Sequence, residues 1–119
     1  MRPRPWHYIL DADGNPHPCD DLRVWGAWFD KASKDGSRVV AADRDEGPHA
    51  TGVFVSTVFL GLDHAFRDGP PVLWETLVFG GPLDGEMARY TSRAAALAGH
   101  AEMCGRVRAA LPDPRGVSG

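Results

Sequence analysis

The chain has 119 residues, of which 43% are hydrophobic and 24% charged, and it carries a formal net charge of −3. That length suits one small domain, and the composition excludes wholesale disorder and a nucleic-acid binder that works by neutralising phosphates. Fourteen glycines and ten prolines predict prominent loops, and the apolar runs are too short for a transmembrane helix.

Trp6 to Leu10 alternates aromatic and aliphatic residues and predicts a first strand. Asp11-Ala12-Asp13-Gly14-Asn15-Pro16 supplies turn chemistry after it. Its Asp-x-Asp-x-Asn spacing resembles the start of a calcium loop. Pro16 stands where such a loop needs glycine, however, and Leu22 where it needs a bidentate carboxylate, so a hairpin turn is the better reading. Asp20 or Asp21 then caps a helix running to about Ser33, with Leu22, Trp25, Phe29 and Ala32 on one stripe and Val24 and Trp28 on a second. Gly36 ends it.

Arg38 to Asp43 predicts a second strand and Arg44 to Thr51 a polar loop. Gly52 to Leu62 is rich in β-branched and bulky residues on both alternate faces, as in a strand covered on both sides or lying at an interface. Asp63 to Pro71 forms a long loop, Val72 to Phe79 the partner strand, and Leu83 to Arg89 a connection. Thr91 or Ser92 caps a last helix whose stripe is Ala94, Leu97, Ala101, Cys104, Val107 and Leu111. The expected fold is α+β, in the order β-α-β-β-β-α: an antiparallel sheet of about four strands with two helices packed on one face. One domain over 1–111 is expected, with a flexible tail at 112–119.

Met1 to Pro5 is charged and no apolar stretch follows, so no secretory leader is expected, and Cys19 and Cys104 are expected as reduced thiols in a cytoplasm. None of the five histidines forms a zinc-protease motif and the cysteines lack zinc-ribbon spacing, so neither a metal nor a cofactor is expected. His64, at the mouth of a loop, is a candidate ligand contact, whereas His100 reads as partly exposed packing on the shoulder of the last helix's stripe. Cys19 precedes a helix, but Asp20 and Asp21 oppose a thiolate there. No catalytic residue set is evident.

Glu75 alternates with Leu73, Leu77 and Phe79, so it shares a face with apolar residues and needs a partner: Ser56, Thr57 or an arginine. The plainer reading is a charge at a sheet rim or one satisfied by a backbone group; the functional one is a polar anchor in an apolar pocket. The tryptophans Trp6, Trp25, Trp28 and Trp74 are abundant for so short a chain. Trp25 and Trp28, three apart on one helix, cannot both point straight into a small core, so at least one is expected to face a partner or a ligand.

The segments Val55-Ser56-Thr57-Val58-Phe59-Leu60-Gly61-Leu62-Asp63-His64 and Gly69 to Gly81, with Arg89-Tyr90-Thr91-Ser92 and Ala98-Gly99-His100, resemble a family of small bacteriophage and prophage proteins. Tyr8 to Asp11 and Trp25 to Phe29 fit as well, while the loop Arg44 to Gly52 is longer and more polar here. The resemblance brings no activity with it. It implies an accessory protein in the host cytoplasm that acts against host defences, as an anti-CRISPR protein does.

Two forms of that expectation stand. In the first, a tryptophan-bearing face docks on a host defence protein and blocks it without catalysis, acidic residues steering it towards a basic surface. In the second, a homo-oligomer sequesters a small nucleotide signal, with Trp74 and Phe66 stacking a base and Arg67 meeting a phosphate. A small enzyme using Glu75 and His64 as an acid–base pair is a further alternative, and a structural role a last one. No membrane partner is expected.

Overall fold

The computed structural model describes residues 6–46, 50–65 and 68–111. The tail at 112–119, His49, Phe66 and Arg67 lie outside them. Along the described residues run β1 (Tyr8–Leu10), β2 (Pro16–Pro18), α1 (Leu22–Asp35), β3 (Val39–Arg44), β4 (Phe54–Phe59), β5 (Trp74–Phe79), β6 (Met87–Tyr90) and α2 (Arg93–Ala110). The strands β3-β4-β5-β6 form an antiparallel sheet in chain order, and β1 and β2 form a separate two-stranded ribbon. The α+β class is as expected, with two short strands added.

The first addition follows from the turn. Asp11 Oδ1 accepts hydrogen bonds from the Asp13 and Asn15 amides, both at 2.9 Å, and closes a tight reversal rather than a calcium loop. The chain therefore pairs Tyr8 with Pro18 locally; the Tyr8 amide donates to the Gly61 carbonyl just beyond β4, and Tyr8 and Leu10 pack into one apolar cluster with Phe59 and Trp74. The second addition is β6, expected as connection. Its Met-Ala-Arg-Tyr sequence has little strand propensity, but the free edge of β5 and the opposed pair Glu75 and Arg89 recruit it.

Helix α1 starts where Asp21 accepts from the Arg23 and Val24 amides and stops at Gly36, whose φ of 82° is the left-handed value that favours glycine. It packs on β1, and Trp28 sets its ring edge-on to Phe59 at the end of the sheet. Helix α2, capped by Ser92, lies across the sheet on the side that Phe59 faces.

The buried side of α2 corrects the expected stripe. Ala96, His100, Met103 and Val107 face the sheet, whereas Ala94, Leu97 and Ala101 face solvent. Two contacts set that rotation. A Cβ on Gly99 would come within 2.2 Å of the Tyr90 ring, so only glycine lets α2 seat there, and His100 turns inward to meet threonine hydroxyls on the sheet. His100 is thus buried, not partly exposed packing.

Between helix and sheet the core divides in two. Tyr8, Phe59, Leu73, Trp74 and Ala96 form one apolar cluster, and Val53, Val55, Val78, Met103 and Val107 form the other. Thr57 and Thr76, opposite each other on β4 and β5 and fully buried, lie between Phe59 and Val55 and between Trp74 and Val78.

The opposite side of the sheet is uncovered, which corrects the idea of β4 shielded on both faces. Register places Val39, Ala42 and Arg44 of β3, Phe54, Ser56 and Val58 of β4, Glu75, Leu77 and Phe79 of β5, and Met87 and Arg89 of β6 on that side.

Candidate functional site

A continuous polar relay crosses the covered face of the sheet. The Tyr90 hydroxyl donates to Thr76 Oγ1 at 3.0 Å, and Thr76 and Thr57 share a short hydroxyl–hydroxyl bond. Thr57 Oγ1 lies 2.7 Å from His100 Nδ1, and His100 Nε2 lies 2.6 Å from Asp43 Oδ2. An ionised carboxylate only accepts, so Nε2 carries the proton towards Asp43, and Nδ1 accepts from Thr57. Every hydroxyl in the series then donates once, which is how Thr57, Thr76 and His100 avoid the cost of lost hydration on burial.

The relay ends in a cleft of about 410 Å³ between α2 and the β3–β4 edge, lined by Asp43, Asp45, Val55, His100, Cys104 and Arg108 among others. Here Cys104 Sγ donates to Asp43 Oδ2 at 3.6 Å. The His100 hydrogen bond holds the Asp43 carboxyl below its ordinary range. Burial, then the Asp43 charge, pushes the Cys104 thiol up. A protonated thiol bonded to a carboxylate is a poor nucleophile, so the Cys-His-Asp grouping does not form a thiolate triad.

The residues singled out in the sequence fall elsewhere. Trp74 is 2% exposed and packs edge-on against Phe59, so its ring offers no face to a base. Trp25 and Trp28 are both half-buried. Trp28 joins the first core cluster, while the Trp25 indole donates to the Tyr8 and Gly61 carbonyls and stacks on Phe29. The helix's two tryptophans thus bind the β1 ribbon and α1 to the end of the sheet, and neither stands out as a docking knob. Cys19 is buried and, like Cys104, is a free thiol.

Glu75 does find an arginine: Arg89 Nε donates to it at 3.0 Å from the neighbouring strand. His64 lines a shallow depression with Arg89, Val72 and the loop 68–70, and no hydrogen bond joins His64 to Glu75 among the described residues. Its neighbour Asp63 is buried and closes the loop by accepting from the Ala65 and Val72 amides.

The uncovered face is the second candidate. Phe79 and Met87 are 46% and 48% exposed, Phe54 and Phe79 stack at 5.8 Å between centroids, and Arg44 lies over the Phe54 ring. Sequence reasoning placed both helices on one side and recognised apolar residues on both faces of β4, but did not draw from the two an open apolar face. It also missed Asp43, although the four-residue spacing of His100 and Cys104 already puts both on one side of a helix.

No protein-family model, curated protein or solved structure matches the chain. Among the described residues no helix is long and apolar enough to cross a membrane.

Proposed function

We propose that this protein is a non-catalytic binding protein that lays the uncovered face of its sheet on a partner protein and blocks it. In the phage setting that the resemblance implies, that partner is a host defence protein. The observation that carries the reading is the exposure of Phe79 and Met87 beside Phe54, Val58 and Leu77 on a sheet face that no element of the described fold covers.

Charge on this face selects the kind of occupant. Among the described residues its one carboxylate is Glu75, which Arg89 already binds, while Arg44 has an aromatic ring beneath it and no carboxylate beside it. A second copy meeting it through the same face brings only the carboxylate of Glu75 among the described residues, and Arg89 already holds it. A different protein with an apolar surface edged by an acidic side chain answers both features. The net charge of −3 acts at longer range, on approach.

The test places a photo-crosslinking residue at Phe79 or Met87, and at Leu97 on α2 as the control, in cells carrying the candidate defence proteins. The reading expects crosslinks to one host protein from the two sheet positions only. It also expects that protein's activity to be blocked by the wild-type chain and not by Met87→Lys. Crosslinks between copies alone, or none, would overturn it.

A further inference from the structure

We propose that Asp43, His100 and Cys104 form a site for a borderline-soft divalent metal ion of the zinc class, with a fourth position open to the cleft. The three donor atoms all lie within 4.8 Å of one another. Zinc bonds of about 2.0–2.3 Å at tetrahedral angles put donors about 3.3–3.8 Å apart. The thiol already stands at such a separation, 3.6 Å from Asp43 Oδ2. The Nε2 to Oδ2 distance of 2.6 Å has to open by roughly an ångström to admit the ion. Asp43 can make that movement, because its side chain is 68% exposed at the end of an edge strand.

The surroundings suit the ion. His100 is 93% buried at its side chain by complement of its 7% exposure, so its ring cannot swing away, and Thr57 meets the nitrogen opposite the ligating one. A metal on Nε2 requires the proton on Nδ1, and the relay accommodates that by reversing. His100 Nδ1 then donates to Thr57, Thr57 to Thr76, and Thr76 to Tyr90, each hydroxyl turning by one rotation. Such an outer partner commonly holds a metal-bound histidine in place. The proton balance is simple: the ion displaces the Cys104 thiol proton to solvent, the imidazole proton changes nitrogen, and Asp43 is already ionised. The mixed S, N, O set favours zinc or cobalt over magnesium or calcium, which prefer oxygen alone.

The site lies on the opposite side of the sheet from the proposed docking face, so each can fail without the other. The experiment titrates Co²⁺ into the full-length, reduced, chelator-treated protein without oxygen and records the absorption spectrum. One cobalt per chain, visible bands of tetrahedral intensity and a thiolate charge-transfer band in the near ultraviolet are expected, all abolished by one equivalent of Zn²⁺ and not by Mg²⁺. Cys104→Ser should remove the charge-transfer band, and Asp43→Asn should weaken binding. Thr57→Val should weaken it roughly 10- to 100-fold as an outer partner, with Thr57→Ser retaining it. Asp11 and His17 form a further, exposed histidine–carboxylate contact, and His17→Asn should leave the spectrum unchanged. No charge-transfer band in the wild type, or a band that survives in Cys104→Ser, would overturn the proposal. Circular dichroism of each metal-free variant separates loss of binding from loss of fold.

Discussion

Each face of the sheet carries residues more usual on the other. The face under α2 holds Thr57, Thr76 and His100 at its centre, while the open face presents Phe54, Leu77, Phe79 and Met87. Burial explains the first only because each buried group has a partner in the relay. The second has no such internal explanation, since apolar side chains on an open sheet gain little until something covers them. The covered face is where stability resides; the open face is where we propose that a partner docks.

The largest expected effect breaks that contrast directly. Phe59→Ala on the covered face should cost about 4 kcal/mol in urea unfolding, whereas Phe79→Ala on the open face should cost about 1 kcal/mol or less. Equal costs would mean that the open face contributes to the fold. Next in size is Gly99→Ala, whose new methyl group overlaps the Tyr90 ring and should cost about 2–3 kcal/mol through overpacking, read from the same unfolding curves.

Removing one hydroxyl from the relay tests its polar half. Thr57→Val leaves Thr76 and His100 Nδ1 short of a partner and should cost about 2 kcal/mol. The double change Thr57→Val with Thr76→Val should cost less than the sum of the two singles, because the pair is lost together. Additive costs would show that the hydroxyls do not act as a unit.

The smallest effect is on pH dependence. The ionised Asp43 carboxylate is favoured in the folded chain by the His100 hydrogen bond, so its folded pKa lies below that of the unfolded chain. Its stabilisation is therefore complete above the ordinary aspartate value of about 3.9 and is lost as pH falls through the lower folded value. The stability difference between wild type and Asp43→Asn, followed by urea midpoint, should close as the solution is acidified through that window. A difference that stays constant would remove Asp43 from the relay.

Much of the secondary structure was legible because its signals are local. Asp21, Gly36 and Ser92 bound their helices by side-chain or backbone geometry within a few residues, and the β-branched and bulky residues of β4 and β5 are explicit in the chain. β6 was not legible, since a strand of weak propensity forms only against an edge supplied by another segment. Nor was the seating of α2: alanines at 94, 95, 96, 98 and 101 give the helix apolar residues on several sides, so hydrophobic contrast does not choose between them.

Glu75 shows the middle case. Its need for a partner was clear from its apolar neighbours, and an arginine was among the candidates, yet only strand register identifies Arg89. Trp74 shows the opposite. Composition suggested a stacking surface, but the same alternation that makes β5 a strand points this ring under α2.

By itself the sequence determined the α+β class, the helix ends, the hairpin turn at Asp11 and the two central strands, because caps, turn residues and alternation act over a few neighbouring residues. Only the tertiary structure decided which face of the sheet is covered and which rotation of α2 buries His100. It alone joined His100 to Asp43, 57 residues earlier, through the packing of a helix on an edge strand. Those outcomes depend on steric fit at Gly99 and on partners for buried hydroxyls, which are properties of segments that meet only in the folded chain.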